Sequence, residues 1–300
     1  MPWYTPEPEI LIGVIGVTGA GKTTFISKAT GRSDLVIGHG VEACTQDILP
    51  VTVEVGGRKV TLIDTPGFDD TYKSDADILQ LIANYLATTY EQGVLLTGLI
   101  LLQPINGNRV QGSERKRTRL FKKVCGPDAF SRIVIATTMW NQIQSDALGE
   151  RRAQERIDNA EFWGDMVEKG AKVIRHDDNK NSAHNIIMKL IHYSSPVELQ
   201  IQTELANNGG HVGMTSAGQQ LDEDLSELVQ ALKKEIQELQ AERIYARQEM
   251  QELQNRLEKF EGQRSKLWNM TAQILPTLAT AGLGVASFLL NSGVATCNIL

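Results

Sequence analysis

Short apolar runs recur through the first two-thirds of the chain, at residues 10–15, 51–55, 60–63, 99–102, 133–137 and 173–175. Stretches long enough for a crossover helix separate most of them. That alternation predicts an α/β fold with a largely parallel sheet, because parallel neighbours need a long return connection. One pair breaks the pattern. Only a turn built on Gly56-Gly57 separates residues 51–55 from 60–63, which predicts an antiparallel hairpin.

The pattern changes near residue 200. Residues 201–220 collect Gly, Asn, Ser and Thr, as in Asn207-Asn208-Gly209-Gly210, and read as a linker. A domain spanning residues 10–200 is therefore expected, and a chain ended after Gln220 is expected to stay folded. Residues 221–266 then show an apolar heptad. With Ile236 at position a, the a series is Val229, Ile236, Arg243, Met250 and Leu257, and the d series is Leu225, Leu232, Leu239, Ala246, Leu253 and Phe260. Arg243 is the polar exception. This predicts a long α-helical coiled coil, pairing either with another chain or back on its own domain. Residues 1–9, with three prolines, are expected to be a flexible N-terminus. Residues 267–300 form an apolar tail with no Asp, Glu, Lys or Arg.

Composition narrows the function classes. The 300-residue chain is 41% apolar and 22% charged, with 30 basic and 36 acidic residues and a net charge of −6. It is neither wholly disordered nor basic enough to be drawn to nucleic acid, so no nucleic-acid partner is expected. Three scattered cysteines form no disulfide framework or metal cluster, which points to a reducing, cytoplasmic setting. The start lacks the basic and apolar regions of a secretory leader, and Pro2 excludes N-myristoylation. In the tail, residues 274–290 carry no charge. At about 1.5 Å per residue they fall just short of a ~30 Å bilayer core. Arg264 and Lys266 give a positive flank, and Cys297-Asn298-Ile299-Leu300 fits C-a-a-X. Two readings stand: contact with an intracellular membrane, peripheral or as a tail anchor, or burial on the protein or a partner.

The chemistry begins at Gly16-Val17-Thr18-Gly19-Ala20-Gly21-Lys22-Thr23. It fits G-x-x-x-x-G-K-[ST] completely, after an apolar strand and before a helical run, as a phosphate loop requires. Glycines let the backbone curl so that its N–H groups face phosphate oxygens, and the next helix adds its positive end. Candidate nucleotide contacts are Gly16, Thr18, Gly19, Ala20, Gly21, Lys22, Thr23 and Thr24. Lys22 neutralises phosphate charge, and the Thr23 hydroxyl suits Mg²⁺. A second strand ends in Asp64-Thr65-Pro66-Gly67, placing Asp64 for the metal and the Gly67 N–H for a γ-phosphate. Between them, Thr45 is the candidate switch threonine for Mg²⁺ and catalysis. The bound species would be GTP or GDP with Mg²⁺.

These segments, with Glu42-Ala43-Cys44-Thr45, Leu62 to Thr71, Asn108 to Ser113 and Ile135 to Trp140, resemble a fungal G-domain protein. They are similar to the immunity-associated GTPases, their avirulence-induced plant relatives, and septin and chloroplast-import GTPases. The resemblance covers residues 10–195. It implies a Ras-like P-loop core that binds GTP and a homodimer formed through the nucleotide face. Two departures matter. The base-reading N-K-x-D or T-K-x-D is Thr137-Thr138-Met139-Trp140 here, so Thr137 takes the first position and Trp140 replaces the carboxylate. Trp140 either stacks on a base or packs as core; Asn179 or Asn181 offers replacement base contacts, and Asp146 is expected to lie out of reach. Phe68 follows D-x-x-G where Ras-like enzymes place glutamine, which implies slow intrinsic hydrolysis. Arg109 matches an arginine that reaches a partner's phosphates in some relatives. The basic run at residues 115–119, with Lys122 and Lys123, reads as a solvated helix face or a patch for an acidic partner or lipid headgroup. The histidines read as packing. Three functions remain: a dimer-regulated GTPase, a nucleotide-gated scaffold that barely hydrolyses GTP, and an ATP-using P-loop protein.

Overall fold

The computed structural model describes residues 10–32, 49–65, 73–107, 112–193, 195–241 and 247–272. Among these residues six strands, β1 (Ile10–Gly16), β2 (Leu49–Val55), β3 (Arg58–Asp64), β4 (Gly98–Pro104), β5 (Ile133–Thr138) and β6 (Lys172–Arg175), form one sheet in the order β2-β3-β1-β4-β5-β6. Only β2 runs antiparallel, paired to β3 through the two-glycine turn. Gly56 and Gly57 both have positive φ, 59° and 74°, which suits glycine at a tight hairpin. All six expected apolar runs are strands.

Alternate residues of β1 serve opposite faces. Ile10, Ile12 and Val14 pack with Phe25, Ile26, Ile187 and Leu190. Those belong to α1 (Lys22–Thr30) and α6 (Lys180–Ile191). Leu11 and Ile15 face the larger core with Ile78, Leu79, Leu120 and Phe121, from α2 (Asp75–Glu91) and α3 (Gly112–Cys125). Beyond β5 come α4 (Asp146–Ile157) and the short α5 (Gly164–Glu168). Arg156 of α4 makes a double contact with Glu114 of α3, at 2.6 and 2.9 Å. Its side chain is 3% exposed and that of Glu114 15%.

Residues 201–220 are not a linker. They hold most of α7 (Gln200–Asn207), a 3-10 turn at Val212–Met214, and the start of α8 (Ser216–Ala241). Ile201, Leu205, Val212 and Ala217 are buried in the larger core. The glycines that suggested flexibility have structural work. Gly209 and Gly210 reverse the chain at φ 68° and 82°. At Gly218 a Cβ would sit 2.0 Å from the Val212 carbonyl oxygen, so α8 reaches the preceding turn only through glycine.

The heptad stretch likewise resolves into two helices, α8 and α9 (Arg247–Asn269), packed antiparallel within the chain. Asp222 accepts two bonds from Arg264 at 2.8 and 3.1 Å, and Lys233 pairs with Glu261 at 2.7 Å. Leu232, Ile236 and Leu253 form the seam, with Met250, Leu257 and Phe260 against it. Of the two pairings the heptad permitted, the described residues fold back. Nearer the sheet, Leu221 and Leu225 of α8 and Leu267, Met270 and Ala272 at the end of the arm enter the main core. The basic run on α3 meets acids on α8: Lys116 lies 3.2 Å from Glu227 and 3.8 Å from Asp224, and Arg119 lies 3.9 Å from Asp224. That face is therefore partly covered by the chain's own acidic helix. No described helix is long and apolar enough to cross a membrane.

Candidate functional site: a phosphate loop at the carboxyl end of the sheet

The register places the site. Val14 of β1 pairs with Asp64 of β3, and Gly16 pairs with Leu102 of β4. The chain thus leaves β1 in the crevice beyond the strands' carboxyl ends, where open α/β sheets bind ligands. Gly16 lies so close to β4 that a Cβ would meet the Leu102 carbonyl oxygen at 2.8 Å. Gly21 enters α1 with φ 92°, in the left-handed region that favours glycine. Thr18 and Gly19 are exposed at the loop tip, whereas Ala20 is buried. The Thr138 hydroxyl donates to the Ala20 carbonyl at 3.0 Å, tying β5 to the loop.

Lys22 folds back over the loop. Its Nζ donates to the carbonyls of Gly16 and Val17, both at 3.1 Å, and the residue is 7% exposed. The Thr23 hydroxyl donates to Asp64 Oδ2 at 3.1 Å. Asp64 is 4% exposed, and its Oδ1 has no hydrogen-bond partner among the described residues. Burial pushes its carboxyl up to about 6, against the opposing pull of the Lys22 charge and the Thr23 hydrogen bond. A hydroxyl and a buried carboxylate with a spare oxygen form a donor set of hard oxygens. It fits Mg²⁺. Thr24, the remaining candidate contact, is half-buried on the first turn of α1.

On the base side, Trp140 is a packed residue. Its indole N–H donates to the Thr137 carbonyl at 3.0 Å and to the Thr137 hydroxyl at 3.1 Å. A Cβ on Gly149 would lie 2.4 Å from its ring, so α4 approaches through glycine. Arg175 covers the ring at 4.3 Å and is held by Asp146 at 3.0 Å and by Asp177. Asp146 is thus engaged with Arg175. Met139, at φ 61°, is a non-glycine residue in the left-handed region, and its terminal methyl carbon would lie 3.7 Å from a Cβ on Gly21. Asn179 accepts from the Ser182 amide at 2.9 Å and caps α6, while Asn181 is exposed beside it. Ser182 also bonds His176 Nδ1 at 2.8 Å, and His176 packs edge-on against Phe25. His184 meets the Ala29 carbonyl at 2.8 Å. Both histidines pack as expected.

Thr45, Gly67, Phe68 and Arg109 lie outside the described residues, as do residues 1–9 and 273–300. The structure therefore sets Lys22 and Thr23 of the phosphate loop beside Asp64, places Thr137 and Trp140 against each other at the end of β5, and leaves the switch and arginine candidates undescribed. Sequence reasoning missed Thr138, whose role needed the fold, and Met139, whose backbone strain has no sequence signal.

Sheet order, one antiparallel edge strand and a Lys-Thr phosphate loop opposite an aspartate define a Ras-like P-loop GTPase fold. Residues 11–115 match the family described as 50S ribosome-binding GTPase. The chain is 26% identical over 141 residues to GTP-binding protein A of Dictyostelium discoideum, covering 47% of this chain and 30% of that protein. It is 39% identical over 61 residues to GTPase Der of Desulforapulum autotrophicum, covering 20% and 12%. It thus spans less than a third of either relative's length. A solved structure of chloroplast translocon components atToc33 and psToc159 superposes with a TM-score of 0.50 at 12% identity, covering 63% of this chain and 84% of that one. That likeness is one of fold.

Proposed function

We propose that this chain binds GTP with Mg²⁺ and hydrolyses it slowly, with self-association through the nucleotide face raising the rate. The observation that carries the reading is the Lys22–Thr23–Asp64 constellation, whose buried Asp64 Oδ1 lacks a protein partner among the described residues. Phosphate oxygens would take over the Lys22 ammonium from two loop carbonyls, and Thr23 and Asp64 would hold the metal, with Thr45 completing the set. When bound, Mg²⁺ supplies charge neutralisation across the β- and γ-phosphates. The matched GTPase family, together with a relative named as GTP-binding, supports guanine over adenine.

Slow hydrolysis follows from Phe68, an apolar side chain that cannot orient water. Arg109 would then act across a dimer, where such an arginine is worth roughly 10³- to 10⁵-fold. The solved relative's description links dimerisation to GTPase activity, which supports this route for the present chain. Calorimetry with Mg²⁺ and GTP or ATP tests the base. Saturable GTP uptake that is lost in Lys22→Ala is the expected outcome; folded protein that takes up neither nucleotide overturns the site. Single-turnover hydrolysis across protein concentration tests the rest, with a steep rise that disappears in Arg109→Ala.

A nucleotide-gated scaffold is the second reading. One contact favours it: Lys266 near the end of α9 pairs with Asp77 in the first turn of α2, the helix that comes after the D-x-x-G segment. A concentration-independent trickle of hydrolysis would select it.

A further inference from the structure

Away from the nucleotide face, a cleft of about 370 Å³ opens between the end of α3, the 3-10 turn at Pro127–Arg132, α5 and the start of α7. Its volume lies in the range of small-ligand sites, roughly 300–1,000 Å³. Pro127 and Phe130 line it with apolar surface, and Arg119, Lys122, Lys123 and Lys169 bring four positive charges against the two acids Glu161 and Asp165. Both acids are already neutralised. Arg115 reaches Glu161 at 3.1 Å, and Lys122 reaches Asp165 at 2.6 Å while also donating to the Ala160 carbonyl at 2.6 Å.

The remaining cations are weakly committed. Arg119 is 3.9 Å from Asp224, an acid it shares with Lys116. Lys123 and Lys169 are exposed, and among the described residues neither has an ion pair. The chain as a whole carries −6, so this surplus of positive charge in one concave place runs against its overall balance. Gathering like charges around a cleft is unfavourable unless an anion answers them. Lysines meet such an anion as mobile point charges, the manner in which they bind phosphate.

We infer that this cleft binds a small molecule bearing two or more phosphate groups, at a place separate from the phosphate loop. Its size and apolar lining favour a compact ligand over an extended peptide. The probe is inositol hexakisphosphate, titrated by calorimetry into the full chain preloaded with excess GDP and Mg²⁺. Saturable one-to-one binding is expected, weakening steeply as salt rises above roughly 50 mM. The Lys123→Ala/Lys169→Ala pair should weaken it about tenfold or more through loss of two nearby charges, with melting temperature and nucleotide affinity unchanged. Binding in Lys22→Ala should match that of the wild-type chain. Undiminished binding in the double lysine variant overturns the inference. So does loss of binding in Lys22→Ala, which would place the probe in the phosphate loop, and so does equal affinity for citrate, which would reduce the cleft to unspecific charge. A failure here leaves GTP binding untouched, because that is read in the separate titration of Mg²⁺ and GTP into the chain without preloaded nucleotide.

Discussion

Leu267→Ala should destabilise the whole nucleotide-binding unit, although Leu267 lies near the end of a helical arm, far along the chain from the phosphate loop. The side chain is fully buried and shares a core with Leu79, Leu99 and Phe121. Truncating a buried leucine costs about 2–5 kcal/mol, from lost transfer free energy and the cavity left behind. A value of about 3 kcal/mol would lower the melting temperature by roughly 6–12 °C, since 1 kcal/mol shifts a unit of 150–250 residues by roughly 2–4 °C. Leu228→Ala is the internal control: Leu228 is 38% exposed on α8, and its loss should cost no more than about 0.5 kcal/mol. Circular dichroism and the fluorescence of Trp163, fully buried in the same core, should report one coincident transition that moves in Leu267→Ala. Two transitions of which only one moves, or equal melting of the two variants, would refute an arm that completes the core. Ending the chain after Gln220 removes Leu221, Leu225, Leu267, Met270 and Ala272 from that core. The fragment should be insoluble or loosely packed, contrary to what composition suggests.

Arg156→Ala should cost about 3–5 kcal/mol in chemical denaturation, because it strands the largely buried Glu114 carboxylate. Gly149→Ala should cost about 1–3 kcal/mol and alter Trp140 fluorescence, since the new methyl enters the space of the indole ring. Burial holds the His176 ring below its ordinary 6.5. Below that pH the unfolded chain takes up a proton that the folded one resists, so stability is full above 6.5 and declines as pH falls; His176→Gln should flatten that decline in denaturation midpoints measured between pH 7 and 5. Asp64→Asn should remove the dependence of nucleotide affinity on Mg²⁺ concentration, leaving whatever binding the loop amides and Lys22 provide.

The sheet was legible because its signal is local. Each inner strand buries both faces and so reads as a continuous apolar run, and the Gly56-Gly57 turn announces the one antiparallel pair. The phosphate loop was legible for a related reason: its chemistry lies in eight consecutive residues, with Asp64 brought to it from β3. The base side was not, because the packing of Trp140 depends on residues outside its own tetrapeptide. Arg175 lies on β6, Gly149 on α4, and Asp146 turns toward that arginine. Nothing in Thr137-Thr138-Met139-Trp140 alone separates a stacking platform from a packed indole.

The linker reading of residues 201–220 failed for a different reason, and that reason bears on how the molecule works. Asn207 to Gly210 has the composition of a tether, but its glycines permit a sharp reversal, and only the burial of Ile201, Leu205 and Val212 distinguishes the two. Once the arm is part of the core, its link to α2 has to be weighed by kind of contact. Lys266 reaches the Asp77 carboxylate that also completes the Ser74 capping box, yet the lysine is 57% exposed, and such a pair contributes about 0–1 kcal/mol. The stronger tie is apolar: Leu267, Met270 and Ala272 are buried in the cluster that holds Ala76 and Leu79 of α2. A shift of the first turn of α2 therefore either carries the end of α9 with it or exposes those side chains to water. Substituting Lys266 alone should leave the arm seated, whereas substituting Leu267 should loosen it.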